Sequence, residues 1–208
     1  MADSLRADAI TLDHERYAER RAEVRAAAIA LRRERKVRVG NMLSFSFENA
    51  ATLAYQIQEM AFTERLSDPL ELAHEVGLHE RMLPDSHSLV ATMLVELTDP
   101  TTIKGELARL EGLQRSVSLE LGPEPGSDSA GLRVRAEEIP APDEDPDQPG
   151  PLVSVHVLRF RFTDAARDAF RNPAVPAELV VDHPEYADGT PLTDATRKSL
   201  IADLALGN

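Results

Sequence analysis

Apolar and polar positions recur along this chain with two periods, and each change of period marks an element. Over residues 11–36 the apolar side chains Tyr17, Val24, Ala28 and Leu31 fall seven, four and three apart, which draws one stripe along an α-helix. Thr11 is the expected N-cap. Asp13 and Glu15 put acids in the first turn, while Arg32, Arg33, Arg35 and Lys36 put positive charge at the end, as the helix macrodipole favours. After a Gly40-Asn41 turn the period drops to two, and residues 42–47 alternate as a strand. Asn49 caps a second helix that runs to about residue 67. Asp68 and Pro69 stop it and start a third over 69–82, which Gly77 weakens and Leu83-Pro84-Asp85 ends.

The second half is strand-rich. Residues 89–97 place Leu89, Ala91, Met93, Val95 and Leu97 on one face, and Thr98-Asp99-Pro100 leads into a short helix to about 110. Further strands are expected at 116–121, 132–136, 153–162 and 178–181, with helices at 164–171 and 193–206. Residues 1–10 read as a flexible lead-in. Residues 137–151, with six acids and five prolines, read as a solvated loop. Helices grouped early, with strands joined by short links after them, predict a single α+β domain over 11–208. Its sheet is expected to be largely antiparallel, packed by several helices of which the N-terminal one is long.

The second helix carries the most informative pattern. Thr52, Gln56, Glu59 and Thr63 form a polar stripe, flanked by Leu53, Ile57 and Met60 on one side and Tyr55, Phe62 and Leu66 on the other. A polar line between apolar faces is either satisfied internally or lines a cavity. The candidate pocket is therefore Glu48, Tyr55, Gln56, Glu59 and His156. In residues 153–162, alternation puts His156 on the apolar face with Leu158, Phe160 and Phe162. It is either a core histidine bonded to a carbonyl or a ligand facing the helix. Glu59, His156 and His183 are a candidate set for a divalent metal (iron, manganese or zinc), since two imidazoles and a carboxylate suit those ions. The bland alternative is a buried network, with Gln56 and Glu59 pinning the helix to the sheet. Asp182 orients His183 only if the chain folds back.

Composition narrows the function classes. A chain of 208 residues can bury a core without staples, and with no cysteine it cannot hold a cysteine-ligated iron–sulfur cluster or zinc. A net charge of −13 disfavours nucleic acid as a partner, although Arg32, Arg33, Arg35, Lys36 and Arg38 form a local basic run. Aromatic content of 4% without Trp argues against a stacking platform. The polar, acid-bearing start is unlike a signal peptide, and no apolar run approaches the roughly 18 residues of a membrane helix. A soluble, cytoplasmic protein with no membrane association is expected. Phosphate-loop, dinucleotide and nucleophile-elbow motifs are missing. Glu71 and His74 make one Glu-x-x-His unit where a di-iron bundle needs two, and His79 falls one residue too far for a zinc-protease pair with His74. His14 and His87 read as surface residues.

Several segments together resemble an uncharacterised bacterial family, domain of unknown function number 3501. They are Phe47-Glu48-Asn49, residues 55–60, Glu64-Arg65, Leu83-Pro84-Asp85, residues 91–96, residues 156–160 and Asp182-His183-Pro184 with Tyr186. The resemblance extends over about 11–204, and the acidic loop near 140–150 is the expected point of departure. It implies an accessory or binding protein of a metal-dependent redox or peroxide-defence system, beside a rubrerythrin-like or iron–sulfur redox partner. A metal-dependent enzyme using a Glu/His site is the alternative, and contact with an acidic partner or nucleic acid through the basic run is a weaker one.

Overall fold

The computed structural model describes residues 5, 10–97, 101–123, 126, 130–140 and 154–205. Among the described residues, eight strands lie in one sheet: β1 Lys36–Val39, β2 Leu43–Glu48, β3 Ser88–Val95, β4 Val117–Leu121, β5 Leu132–Glu138, β6 Val155–Arg161, β7 Ala177–His183 and β8 Tyr186–Pro191. Their order is β1-β2-β3-β6-β5-β4-β7-β8, and every neighbouring pair is antiparallel. Register aligns Phe45, Met93 and His156 across three strands, and Leu89, Phe160 and Ala136 across another three. One face of the sheet is thus continuously apolar, and it curls onto itself around Leu43, Phe45, Phe47, Met93, Leu119, Phe160 and Leu179. The helices α5 Asp164–Arg171 and α6 Asp194–Asp203 add Phe170, Leu200 and Leu204 to this core.

The sheet is a nearly closed barrel. Its two edges, β1 and β8, meet through side chains: the Tyr186 hydroxyl donates to the Val39 carbonyl at 2.7 Å and the Thr190 hydroxyl to the Arg38 carbonyl at 2.7 Å. Gly40, between β1 and β2, has φ +58°, and a Cβ there would lie 2.1 Å from the Tyr186 oxygen. Only glycine suits both that backbone and that approach.

Three helices, α1 His14–Arg35, α2 Ala50–Thr63 and α3 Pro69–Glu80, form the outer layer. Asn49 and Thr52 build a reciprocal capping box at the start of α2, and Asp68 caps α3 with Pro69 in its first turn. Leu53 and Ile57 of α2 meet Leu72 and Val76 of α3 in a second apolar cluster, which also contains Leu5 and Ile10. Those two positions of the expected flexible lead-in are therefore buried. Gln58 holds the chain just after them, accepting from the Thr11 amide at 2.8 Å and donating to the Thr11 carbonyl at 3.0 Å. Asp13 takes the capping role expected of Thr11. A short helix, α4 Ile103–Arg109, and a 3-10 turn, Leu113–Ser116, lead into β4.

The α+β class, the long N-terminal helix and the antiparallel sheet agree with the sequence pattern. Three further features differ. β1 follows α1 without a break, where the pattern reads as a helix end and a turn. β8 has the sequence YADGTP, without apolar alternation, because it is an edge strand specified by its pairing with β7. Glu137 and Glu138 belong to β5 and not to the acidic loop, of which residues 141–151 lie outside the described residues. The expected break at Thr98-Asp99-Pro100 also lies outside them.

Candidate functional site

The polar stripe of α2 divides among separate environments. Thr52 is buried, and its hydroxyl donates to the Glu48 carboxylate at 2.5 Å, while the Thr92 hydroxyl reaches the other carboxylate oxygen at 2.8 Å. Glu48 follows inward-facing Phe47, so it points outward beneath α2 and is 4% exposed. Gln56 is exposed. Thr63 is exposed too and turns back to the Glu59 carbonyl at 2.7 Å. Adjacent Gln58 is the buried glutamine of this helix, one the sequence pattern passed over because its partner is backbone 47 residues away.

Glu59 faces α1. It accepts from the Tyr17 hydroxyl at 2.7 Å and from Arg21 Nε and Nη2 at 3.0 and 2.8 Å. The Arg21 hydrogen bonds are the largest influence on this carboxyl and, with Tyr17, hold it below the usual carboxylate range despite burial. Burial first, and then the bond to Glu59, push the Tyr17 phenol well above its usual value. Phe62 lies beneath this group, with Tyr17 at 5.4 Å between ring centres and the Arg21 guanidinium 4.8 Å from the ring centre.

The histidines lie elsewhere. His156, 5% exposed, is on the inner face of the sheet, opposite the face that α2 covers, and its Nδ1 pairs with Glu138. His183 ends β7 on the inner face; its Nε2 meets the Glu111 carbonyl at 3.1 Å and its Nδ1 accepts from the Glu185 amide at 3.2 Å. Asp182 is exposed on the other face, where alternation keeps it from orienting His183. Glu59, His156 and His183 are thus not brought together: Glu59 lies between helices outside the barrel and both histidines face inward. Among the described residues no group of three or more His, Asp or Glu side chains is placed to hold a metal ion.

The basic run also disperses. Arg35, 1% exposed, donates to the Phe47 and Glu48 carbonyls at 2.9 and 3.1 Å and to Ser199 Oγ at 2.9 Å, and it pairs with Asp203 of α6. Lys36 and Arg38 both engage Glu96, and Arg32 lies over the Tyr55 ring at 5.4 Å. The Ser44 hydroxyl and then Lys36 hold the Glu96 carboxyl below its usual range. His14 is half-buried, not a free surface residue, with Nε2 on the Leu66 carbonyl at 2.9 Å. His87 is exposed beside Asp164, and Glu71 and His74 are both exposed.

A groove opens between α1 and α2, closed at one end by residues 10–12 and the start of α3, with a volume of about 870 Å³. Val24, Ala27, Ala28 and Leu31 form one wall, and Ala51, Ala54 and Tyr55 the other. The sequence stripe Tyr17-Val24-Ala28-Leu31 marks the first wall. The groove itself was not legible, because it depends on alanines facing one another from two helices, where short side chains leave space unfilled. Of the expected pocket residues, Tyr55 lines it and Glu48, Gln56, Glu59 and His156 do not. No helix among the described residues is long and apolar enough to cross a membrane.

Comparison with known proteins gives a family and a fold. No functionally curated protein matches the chain. A crystal structure described as a novel protein of unknown function from Burkholderia pseudomallei K96243 is similar over 96% of this chain and 98% of its own, at 30% identity and a TM-score of 0.84. The family model described as "Protein of unknown function (DUF3501)" matches residues 4–204, and the chain belongs to that family.

Proposed function

We propose that this chain is an accessory binding protein of a metal-dependent redox or peroxide-defence system, and that it binds through the α1–α2 groove. The groove carries the binding role: an apolar-walled space of about 870 Å³ falls in the range of small-ligand sites. The redox setting, with a rubrerythrin-like or iron–sulfur partner, rests on the family resemblance alone. The geometry supports binding over a Glu/His metal enzyme, because each group of the candidate set is engaged. Glu59 takes three hydrogen bonds from Tyr17 and Arg21, His156 pairs with Glu138, and both ring nitrogens of His183 have partners.

Native mass spectrometry and elemental analysis of protein purified without tags or chelators test this reading. The expected result is an organic ligand retained by the wild type and lost from Ala27→Phe, which fills the groove from an exposed position. Metal is expected far below stoichiometric. Equal retention by both proteins, or by neither, counts against the groove. Stoichiometric iron, manganese or zinc that Glu59→Gln removes would overturn the binding role in favour of the metal enzyme.

A further inference from the structure

The lining of the groove has a chemical bias that narrows its ligand. The chain carries 36 acidic against 23 basic residues, yet among the described residues no Asp or Glu lines the groove, while Arg16 and Arg20 do. They stand four apart on α1, so both guanidinium groups project from one side of the helix. Among the described residues the Arg16 side chain has no hydrogen-bond or ion-pair partner, and Arg20 has only an exposed contact to Glu23 at 3.7 Å. The same side of α1 continues as Val24, Ala27, Ala28 and Leu31. From Arg16 to Leu31 the axial rise is about 22 Å at 1.5 Å per residue. The facing wall supplies alanine methyls and the Tyr55 ring. The cationic end and the apolar length are therefore laid out in line along one trough.

Of the other polar side chains at the groove, Thr11, Tyr17 and Gln58 are committed, and Tyr55 lies toward the other end, with Arg32 over its ring. The Thr11 hydroxyl accepts from the Asp13 amide at 3.1 Å. Gln58 is occupied by the Thr11 backbone, and the Tyr17 hydroxyl by Glu59. What the groove offers a ligand is thus two cations at one end and a mainly apolar surface along the rest, with Tyr55 as its one polar-tipped side chain there. We propose that it takes an amphipathic anion, with a carboxylate or phosphate head held by Arg16 and Arg20 and an aliphatic tail along Val24, Ala28 and Leu31. Guanidinium groups bind either head through charge-assisted, paired hydrogen bonds. The assignment rests on the groove being the binding surface.

The test is a titration of ¹⁵N-labelled full-length protein with dodecanoate, dodecyl phosphate and neutral dodecanol, each as dilute monomer. It is read from the amides of Ala27, Ala28, Ala51 and Ala54. Saturable shifts with one or both anions are expected, with dodecanol weaker. Arg16→Gln with Arg20→Gln should weaken anion binding roughly tenfold or more and leave dodecanol unaffected. Ala51→Phe, at an exposed position, should abolish all three. Response to only one anion identifies the head group within the proposal. Dodecanol binding as tightly as the anions, or anion binding unchanged in the double arginine variant, overturns the anionic assignment while the groove stands. No shift of those amides by any probe, or full binding by a folded Ala51→Phe protein, removes the groove and the assignment together.

Discussion

At the scale of single residues, Glu59 shows how the same side chain reads one way in sequence and another in space. Helix phase marks it as a polar group between apolar neighbours on α2, but its partners lie 38 and 42 residues earlier, in α1. Its acidity follows from them. Arg21 lowers the folded-state pKa below the unfolded value, so the unfolded chain binds the proton more tightly. The stabilisation is present above the ordinary carboxylate range and is lost as pH falls through the lowered folded value. Glu59→Gln should therefore flatten the loss of stability between about pH 5 and pH 3, a window set by the usual glutamate value of about 4.3. Urea midpoints measured across that window decide it. An acid dependence identical to that of the wild type would show that the Arg21–Glu59 pair contributes nothing, the usual outcome for exposed ion pairs. Arg197 makes the complementary point with no carboxylate in hydrogen-bonding contact. Burial lowers its pKa, and its donors are satisfied by the carbonyls of Phe170 and Asn172 at 2.7 and 2.8 Å, which close the end of α5.

Between elements, Arg35 joins three that are far apart in the chain. It ends α1, holds the last carbonyls of β2, and pairs with Asp203 of α6, 168 residues away. The sequence shows only a basic helix end, since nothing in local pattern tells a buried guanidinium from its exposed neighbour Arg33. Arg35→Met takes the guanidinium away from the buried Asp203 carboxylate and removes the side-chain donors to the Phe47 and Glu48 carbonyls. The expected cost is roughly 3–5 kcal/mol in chemical denaturation, the range for breaking one side of a buried pair. A loss below about 1 kcal/mol would mean that water or another donor reaches these groups. The same reasoning explains what the sequence did and did not reveal. Alternation placed His156 on the apolar face of its strand, and capping residues located α2 and α3, because those signals are local. That α2 covers the opposite face of the sheet from His156 depends on how the layers stack. The expected Glu59–His156–His183 set fails at that step.

For the whole molecule, the curling of one antiparallel sheet into a nearly closed barrel leaves a seam between its first and last strands. Exposed strand edges invite pairing with other chains, and closure by side chains is one way to cover them. Here the cover is Tyr186 and Thr190 of β8, bonded to the carbonyls of Val39 and Arg38 in β1. The Tyr186 oxygen also lies 3.5 Å from the Met42 amide, on the far side of the Gly40 turn. Tyr186→Phe removes this hydroxyl while keeping the ring against the core, so the expected cost is about 1 kcal/mol of global stability. The sharper signature is local. Hydrogen exchange at Met42 should accelerate, while amides of the central strands, such as Leu119 and Val134, change only by the global amount. Thr190→Val should loosen the same seam from its other end, and the double variant should expose the β1 edge enough to promote concentration-dependent association. Size-exclusion chromatography over a range of concentrations reads that directly. If the double variant stays as monodisperse as the wild type and Met42 exchange is unmoved, the seam is held by ring packing and backbone shape, not by these hydroxyls.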